Sequence, residues 1–125
     1  MYEIKIKTDF SAAHNLREVG GNCESLHGHN FVVEVAVESE GVDELGMVMD
    51  FRLLKEKTRA VLKTLDHCYL NELPIFQSAN PSSENLAAYI FGELSRQIDR
   101  GPRRVSWVSV GEGETSQATY RRQGK

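Results

Sequence analysis

The sequence predicts an α+β fold, a four-stranded antiparallel sheet with two helices on one face, in the order ββααββ. Three observations lead there. Two segments alternate apolar and polar residues before any helical pattern appears. Two helical patterns then follow one another. Two more strand-like segments close the chain. Strands and helices in blocks favour an antiparallel sheet with segregated helices. The 125 residues are expected to form one domain, 1–125. A domain of that size buries roughly two-thirds of the surface its unfolded chain exposes.

Residues 2 to 10 place Tyr2, Ile4, Ile6, Thr8 and Phe10 on one face and Glu3, Lys5, Lys7 and Asp9 on the other, the pattern of a half-buried strand. His14 keeps the parity of Phe10 and points inward if the strand continues. Residues 15 to 26, with Asn15, Gly20, Gly21 and Asn22, read as a loop. A second strand carries Phe31, Val33, Val35 and Val37 on one face, and His27 and His29 share that parity. Asp50 is placed to cap a helix running to about Leu65. Asp66, His67, Pro74 and Pro81 mark a loop. Ser82 or Ser83 caps a second helix, whose Ala87, Ile90, Phe91, Leu94 and Ile98 form an amphipathic stripe. Gly101 and Pro102 end it. Residues 103 to 112 make a third strand, with Val105 and Trp107 on one face and Val108 and Val110 on the other. Apolar character on both faces implies that one meets the helices and the other something else, such as another subunit. Residues 115 to 121 make a fourth strand. One uncovered face and two free edges invite oligomerisation.

Composition narrows the function. The net charge is -3, with acidic and basic residues interspersed, so no basic stripe suits nucleic acid. No apolar run approaches the roughly 20 residues that span a bilayer. Met1 to Lys7 alternate and hold no apolar stretch like a signal peptide. Two cysteines, Cys23 and Cys68, make a poor disulfide framework and fit free thiols in a reducing cytoplasm. Cys68 is assigned to the core by default.

The chemistry concentrates in the four histidines. His27 and His29 lie two apart at the start of a strand, so both rings reach one side, and His14 ends the neighbouring strand with matching parity. Three imidazoles without a fourth protein ligand are the pattern of a catalytic zinc site. The plainer alternative is hydrogen-bonded histidines near a turn. Cys23 reads as a thiolate base or nucleophile, as a small buried hydrophobe, or as a fourth ligand closing a structural site. Asp66 and His67 form an acid/base pair if a loop lets the neighbours face each other. Otherwise they are surface groups at a helix C-terminus. Glu112 shares the parity of Val108 and Val110, and a buried carboxylate there needs partners. The N–H/NH₂ edge of a planar heterocycle could supply them. Alternatively it is a solvated glutamate in a turn between Gly111 and Gly113.

Taken together, the motifs resemble the 6-pyruvoyltetrahydropterin synthase / 6-carboxytetrahydropterin synthase family along nearly the whole chain. The anchors are Phe10-Ser11-Ala12-Ala13-His14, Cys23-x-x-x-His27-Gly28-His29-Asn30 and Gly46-Met47-Val48-Met49-Asp50-Phe51. They continue with Leu65-Asp66-His67-x-x-Leu70-Asn71, Asn80-Pro81-Ser82-Ser83-Glu84 and the segment from Glu112 to Tyr120. The resemblance implies the tunnelling fold, with active sites between the subunits of a trimer or hexamer. It implies zinc on His14, His27 and His29. It implies Cys23 as the catalytic thiol, Asp66 and His67 as its proton-relay partners, and Glu112 as the anchor of the pterin ring. Gly113 stands where the family usually has threonine, so a two-residue shift makes Glu114 the anchor instead.

The Cys-to-His spacing is similar to that of bacterial 6-carboxytetrahydropterin synthases of queuosine biosynthesis. These convert 7,8-dihydroneopterin triphosphate to 6-carboxytetrahydropterin, acetaldehyde and triphosphate. Cys23 is followed by Glu24, and one subgroup of relatives uses a glutamate in place of the cysteine to release 6-hydroxymethyl-7,8-dihydropterin for folate synthesis. Glu24 is therefore an alternative base. Two other readings stand beside this one: pyruvoyl formation without carbon–carbon cleavage, and a non-catalytic structural Cys-His₃ zinc module.

Overall fold

The computed structural model describes residues 1–18 and 25–123. Its elements run β1 (Tyr2–His14), β2 (His27–Ser39), α1 (Phe51–Leu62), α2 (Ser83–Ile98), β3 (Arg104–Gly111) and β4 (Gln117–Arg121). The sheet is antiparallel in the order β1-β2-β3-β4. Helix α1 packs on β1, and α2 packs on β3, β4 and α1. This is the ββααββ arrangement the periodicities predict.

The core lies between the helices and one face of the sheet. Ile6, Phe10, Phe31, Val33, Val35, Val108 and Val110 meet Leu54, Leu86, Ile90 and Leu94 there. Strand β1 extends four residues beyond the alternating stretch, because Ser11 to His14 continue the ladder opposite Asn30 to His27. Asp50 caps α1 by accepting the Arg52 amide at 2.8 Å. The helix ends at Leu62 rather than near Leu65, and Leu65 is still buried in the following turn. Ser82, not Ser83, caps α2, accepting the Asn85 amide at 3.2 Å. That helix stops at Ile98, and Asp99 accepts the amide of Val105 at 2.8 Å, tying the helix end to β3.

Strand β3 corrects the sequence expectation. The β2–β3 register shifts between Ala36 and Val37, which pair with Trp107 and Val105 respectively. Ser106 is left over in a β-bulge. The extra residue resets the alternation, so Val105 joins Val108 and Val110 in the core instead of sharing a face with Trp107. The strand therefore does not have two apolar faces. Trp107 alone is large and apolar on the far side, half-buried under the guanidinium of Arg121.

Candidate active site

Register assembles the histidines. His14 and His27 are the final pair of the β1–β2 ladder, and His29 pairs with Ala12 one pleat further in. Residues directly opposite, or two apart on one strand, share a face. The ring centroids lie 4.6 Å apart for His14 and His27, 4.7 Å for His27 and His29, and 5.3 Å for His14 and His29. Phe31 floors the group, edge-on to His14 and His29.

Backbone carbonyls fix two of the rings. Nδ1 of His14 donates to the Pro81 carbonyl at 2.8 Å, and Nδ1 of His27 donates to the Ser25 carbonyl at 2.7 Å. Each bond leaves the Nε2 lone pair facing the group, as the outer partners of metal-binding imidazoles do. His14 is fully buried. Burial pushes its pKa below the ordinary value, against the Pro81 bond and the nearby Glu112, which act to raise it.

Glu112 follows β3 by one residue and completes the group. Its Oε2 lies 3.3 Å from Nε2 of His14, and its Oε1 lies 3.5 Å from Nε2 of His29. Ligand atoms of His14, His27, His29 and Glu112 all fall within 4.8 Å of one another. Among the described residues, Nε2 of His14 and of His29 are the buried side-chain polar atoms without a hydrogen-bond partner. With its Nδ1 proton given to Pro81, His14 turns a buried Nε2 lone pair toward the Glu112 carboxylate, and two such electron-pair donors repel. A cation resolves this, and nitrogen and oxygen donors at these positions fit a metal ion. Glu114 takes a different place, paired with Lys7 at 3.0 Å on the surface.

Asp66 and His67 meet because the chain is not extended there. His67 has a left-handed backbone, φ 57, a conformation histidine tolerates better than most residues. Its Nδ1 reaches Oδ2 of Asp66 at 2.9 Å. Oδ1 of Asp66 accepts the Ser11 amide at 2.9 Å, which docks the loop on β1. That amide first, and His67 second, hold the Asp66 carboxyl below the usual carboxylate range. His67, His29, Asn30 and Tyr69 line an open cleft of about 540 Å³. Cys68 lines it too and is only half-buried, so it is not the core residue expected from sequence. Cys23 and Glu24 lie outside the described residues.

A second pocket, of about 230 Å³, lies on the Glu112 side, lined by Leu16, Ser82, Ser83, Glu84, Glu112 and Gln117. In the sequence Ser82 and Ser83 stand as helix caps and within the Asn80–Glu84 motif; neither signal placed them on a pocket. Asn71, Asn80 and Arg17 hold the chain leaving His14, and Asn80 exchanges hydrogen bonds with the Arg17 backbone at 2.9 and 3.1 Å. Asn71 exchanges hydrogen bonds with the Asn15 backbone at 2.9 Å each, and Arg17 donates to the carbonyls of Ala79 and Phe76 at 3.0 and 2.8 Å.

The fold and this arrangement define a class. The chain belongs to the 6-pyruvoyl tetrahydropterin synthase family, whose model matches residues 3–123. It is 40% identical over 125 residues to the 6-carboxy-5,6,7,8-tetrahydropterin synthase of a Synechocystis species, covering 96% of this chain and 93% of that one. It is 36% identical over 110 residues to the dihydroneopterin monophosphate aldolase of Pyrococcus furiosus, covering 88% and 89%. The 6-pyruvoyl tetrahydropterin synthase structure from Caenorhabditis elegans superposes with a TM-score of 0.85 at 30% identity, covering 98% of this chain and 96% of that one.

Proposed function

We propose that this protein is a zinc-dependent carbon–carbon lyase, a 6-carboxy-5,6,7,8-tetrahydropterin synthase. With one water, 7,8-dihydroneopterin triphosphate gives 6-carboxytetrahydropterin, acetaldehyde and triphosphate. The side chain is oxidised as the ring is reduced, so no outside reductant enters. The observation that carries this reading is the group of three imidazoles with two buried, partnerless Nε2 atoms. The relative from Synechocystis supports the choice of product. The Cys-to-His spacing supports placing the product in queuosine (7-deazapurine) biosynthesis.

His14, His27 and His29 hold the zinc. Bound zinc supplies a Lewis acid that steadies negative charge on the side-chain oxygens of the substrate. Cys23 takes a proton from the side chain as thiolate. His67, oriented by the Asp66 carboxylate at 2.9 Å, exchanges the matching proton from the cleft it shares with His29. Glu112 receives the N–H and NH₂ groups of the pterin in the pocket that Ser82, Ser83 and Gln117 help to line. Glu112 is preferred to Glu114 for this role because Glu114 pairs with Lys7 on the surface. The half-buried free thiol of Cys68 fits a cytoplasmic enzyme. The outer edges of β4 and of β1 before Ser11, which no strand covers among the described residues, fit a trimer or hexamer.

A second outcome at the same site is release of 6-hydroxymethyl-7,8-dihydropterin, with Glu24 as the base. The likeness to a dihydroneopterin monophosphate aldolase favours it. Incubation with dihydroneopterin triphosphate and mass identification of the products tests both outcomes. Carboxypterin with acetaldehyde is expected. A pyruvoyl product alone overturns carbon–carbon cleavage. Cys23→Ala is expected to lose at least about 10²-fold in carboxypterin formation while keeping zinc. Loss of zinc from that variant identifies a structural Cys-His₃ module instead. Any hydroxymethylpterin that Cys23→Ala still releases disappears on adding Glu24→Gln, if Glu24 is the second base.

A further inference from the structure

We propose that Arg17 is a positioning residue of the histidine centre: by clamping Asn80 and the chain before it, Arg17 places the Pro81 carbonyl that fixes the tautomer and aim of the His14 ring. This rests on reading the histidines as a metal centre, and it extends that centre to a half-buried arginine that touches none of the ligands.

His14 takes its orientation from one bond. A carbonyl oxygen only accepts, so the 2.8 Å contact with Pro81 puts the ring proton on Nδ1 and leaves the Nε2 lone pair for a metal. A shift of that carbonyl costs the ring both its tautomer and its direction. Proline has no N–H and no polar side chain, so its neighbours decide where its carbonyl falls. On one side Ser82 caps α2. On the other, Asn80 is pinned. Its side-chain oxygen accepts the Arg17 amide at 2.9 Å, its Nδ2 donates to the Arg17 carbonyl at 3.1 Å, and its own carbonyl accepts Nδ2 of Asn85 at 2.8 Å.

The Arg17 side chain closes the clamp from the other direction. Nη1 donates to the Ala79 carbonyl at 3.0 Å and Nη2 to the Phe76 carbonyl at 2.8 Å. One planar fork thus grips the segment just before Asn80, which a lysine ammonium, with all its donors on one nitrogen, does not reproduce. The grip is needed because this segment holds only two short 3₁₀ turns, Leu70–Glu72 and Pro74–Phe76, between α1 and α2. Its own regular hydrogen bonding does not reach Pro81. Buried Asn71 adds a second tie, pairing with the Asn15 backbone. The residues after His14 are therefore fastened to the same segment that holds the His14 ring.

The test follows the Nδ1 proton of His14 by NMR in zinc-free protein, where no metal contributes to its order. In the wild type it exchanges slowly with solvent. Arg17→Ala is expected to speed that exchange at least about tenfold, as losing hydrogen bonds from a charged donor does. The same variant is expected to bind zinc about 10–100-fold more weakly, the usual effect of disturbing the outer partner of a metal-bound imidazole. Methylguanidinium moves both values back toward the wild type, and Arg17→Lys shows the same losses. Arg122→Ala is the control, since it removes an arginine bonded to the Val105 carbonyl at the other end of β3. It leaves both values unchanged. Wild-type exchange and zinc affinity in Arg17→Ala overturn the proposal, and so does an equal loss in Arg122→Ala. Should Arg17→Ala not fold, wild-type values in Arg17→Lys overturn it instead. If wild-type protein takes no zinc, the metal reading falls, while the exchange rates still decide whether Arg17 positions His14.

Discussion

His14 sits where a proton is unwelcome. The ring is fully buried, and desolvation lowers its pKa from about the ordinary 6.5. Unfolding returns it to water. Below that ordinary value the unfolded chain binds a proton that the folded chain resists, so stability is lost as pH falls. Above it, the contribution is fully present. Metal-stripped protein is therefore expected to show a lower denaturation midpoint at pH 5.5 than at pH 7.5, measured by thermal melting. His14→Gln removes that part of the pH dependence; an unchanged pH profile in the variant contradicts it. If zinc binds the three imidazoles as proposed, adding it is expected to steepen the trend, because imidazole ligands must be deprotonated. At this scale the sequence was informative about identity. Residue parity alone put His14, His27 and His29 on the inner face. It could not separate Glu112 from Glu114, since both share one parity, and the ion pair of Glu114 with Lys7 depends on a β1–β3–β4 arrangement that parity does not encode.

The turn after β3 is the element that aims Glu112. A Cβ on Gly111 would lie 2.5 Å from the Ser116 carbonyl oxygen and 2.8 Å from that of Gly113. Both contacts are with backbone and cannot be relieved by rotating a side chain. Gly111→Ala is expected to cost about 1–3 kcal/mol, as overpacking does, and to displace Glu112. The measurements are urea denaturation and zinc titration of the same variant. Wild-type values in both dismiss the turn as a positioning device. Two elements differ from their sequence reading for identifiable reasons. The bulge at Ser106 depends on pairing with β2 and leaves no mark in composition, so period-two counting put Val105 on the wrong face. Helix α1 stops at Leu62, although the apolar spacing carries on to Leu65, because Leu65 packs into the same core from a turn. By contrast, Asp50 was legible as an N-cap, and the cap of α2 was narrowed to Ser82 or Ser83, of which the structure selects Ser82.

The sheet leaves β4 and the first part of β1, up to Phe10, as open edges, while the loop at Asp66 to Tyr69 pairs with Ser11 to Ala13. A long edge with unpaired backbone groups is a template for another strand. We expect sedimentation equilibrium to give a species of three or six times the 14.1 kDa chain mass. A monomer at micromolar concentration contradicts this. Zinc is expected to raise the melting temperature, by an amount equivalent to about 2.7 kcal/mol when free zinc is a hundredfold above its Kd. No shift, with zinc shown to be bound, means the unfolded chain takes it equally well.

By itself the sequence determined the periodicities, the caps, the block order of strands and helices, and the inward parity of three histidines. These are local properties, written in side-chain order along the chain. Tertiary structure decided what local order cannot hold. Cross-strand register brought His14 opposite His27. The left-handed residue at His67 turned neighbours toward each other, so that Asp66 faces its imidazole. The β3–β4 turn delivered a carboxylate to 3.3 Å from an imidazole nearly a hundred positions earlier in the chain. Distances between side chains far apart in sequence depend on hydrogen-bond register and packing, and those are settled only when the whole sheet closes on its core.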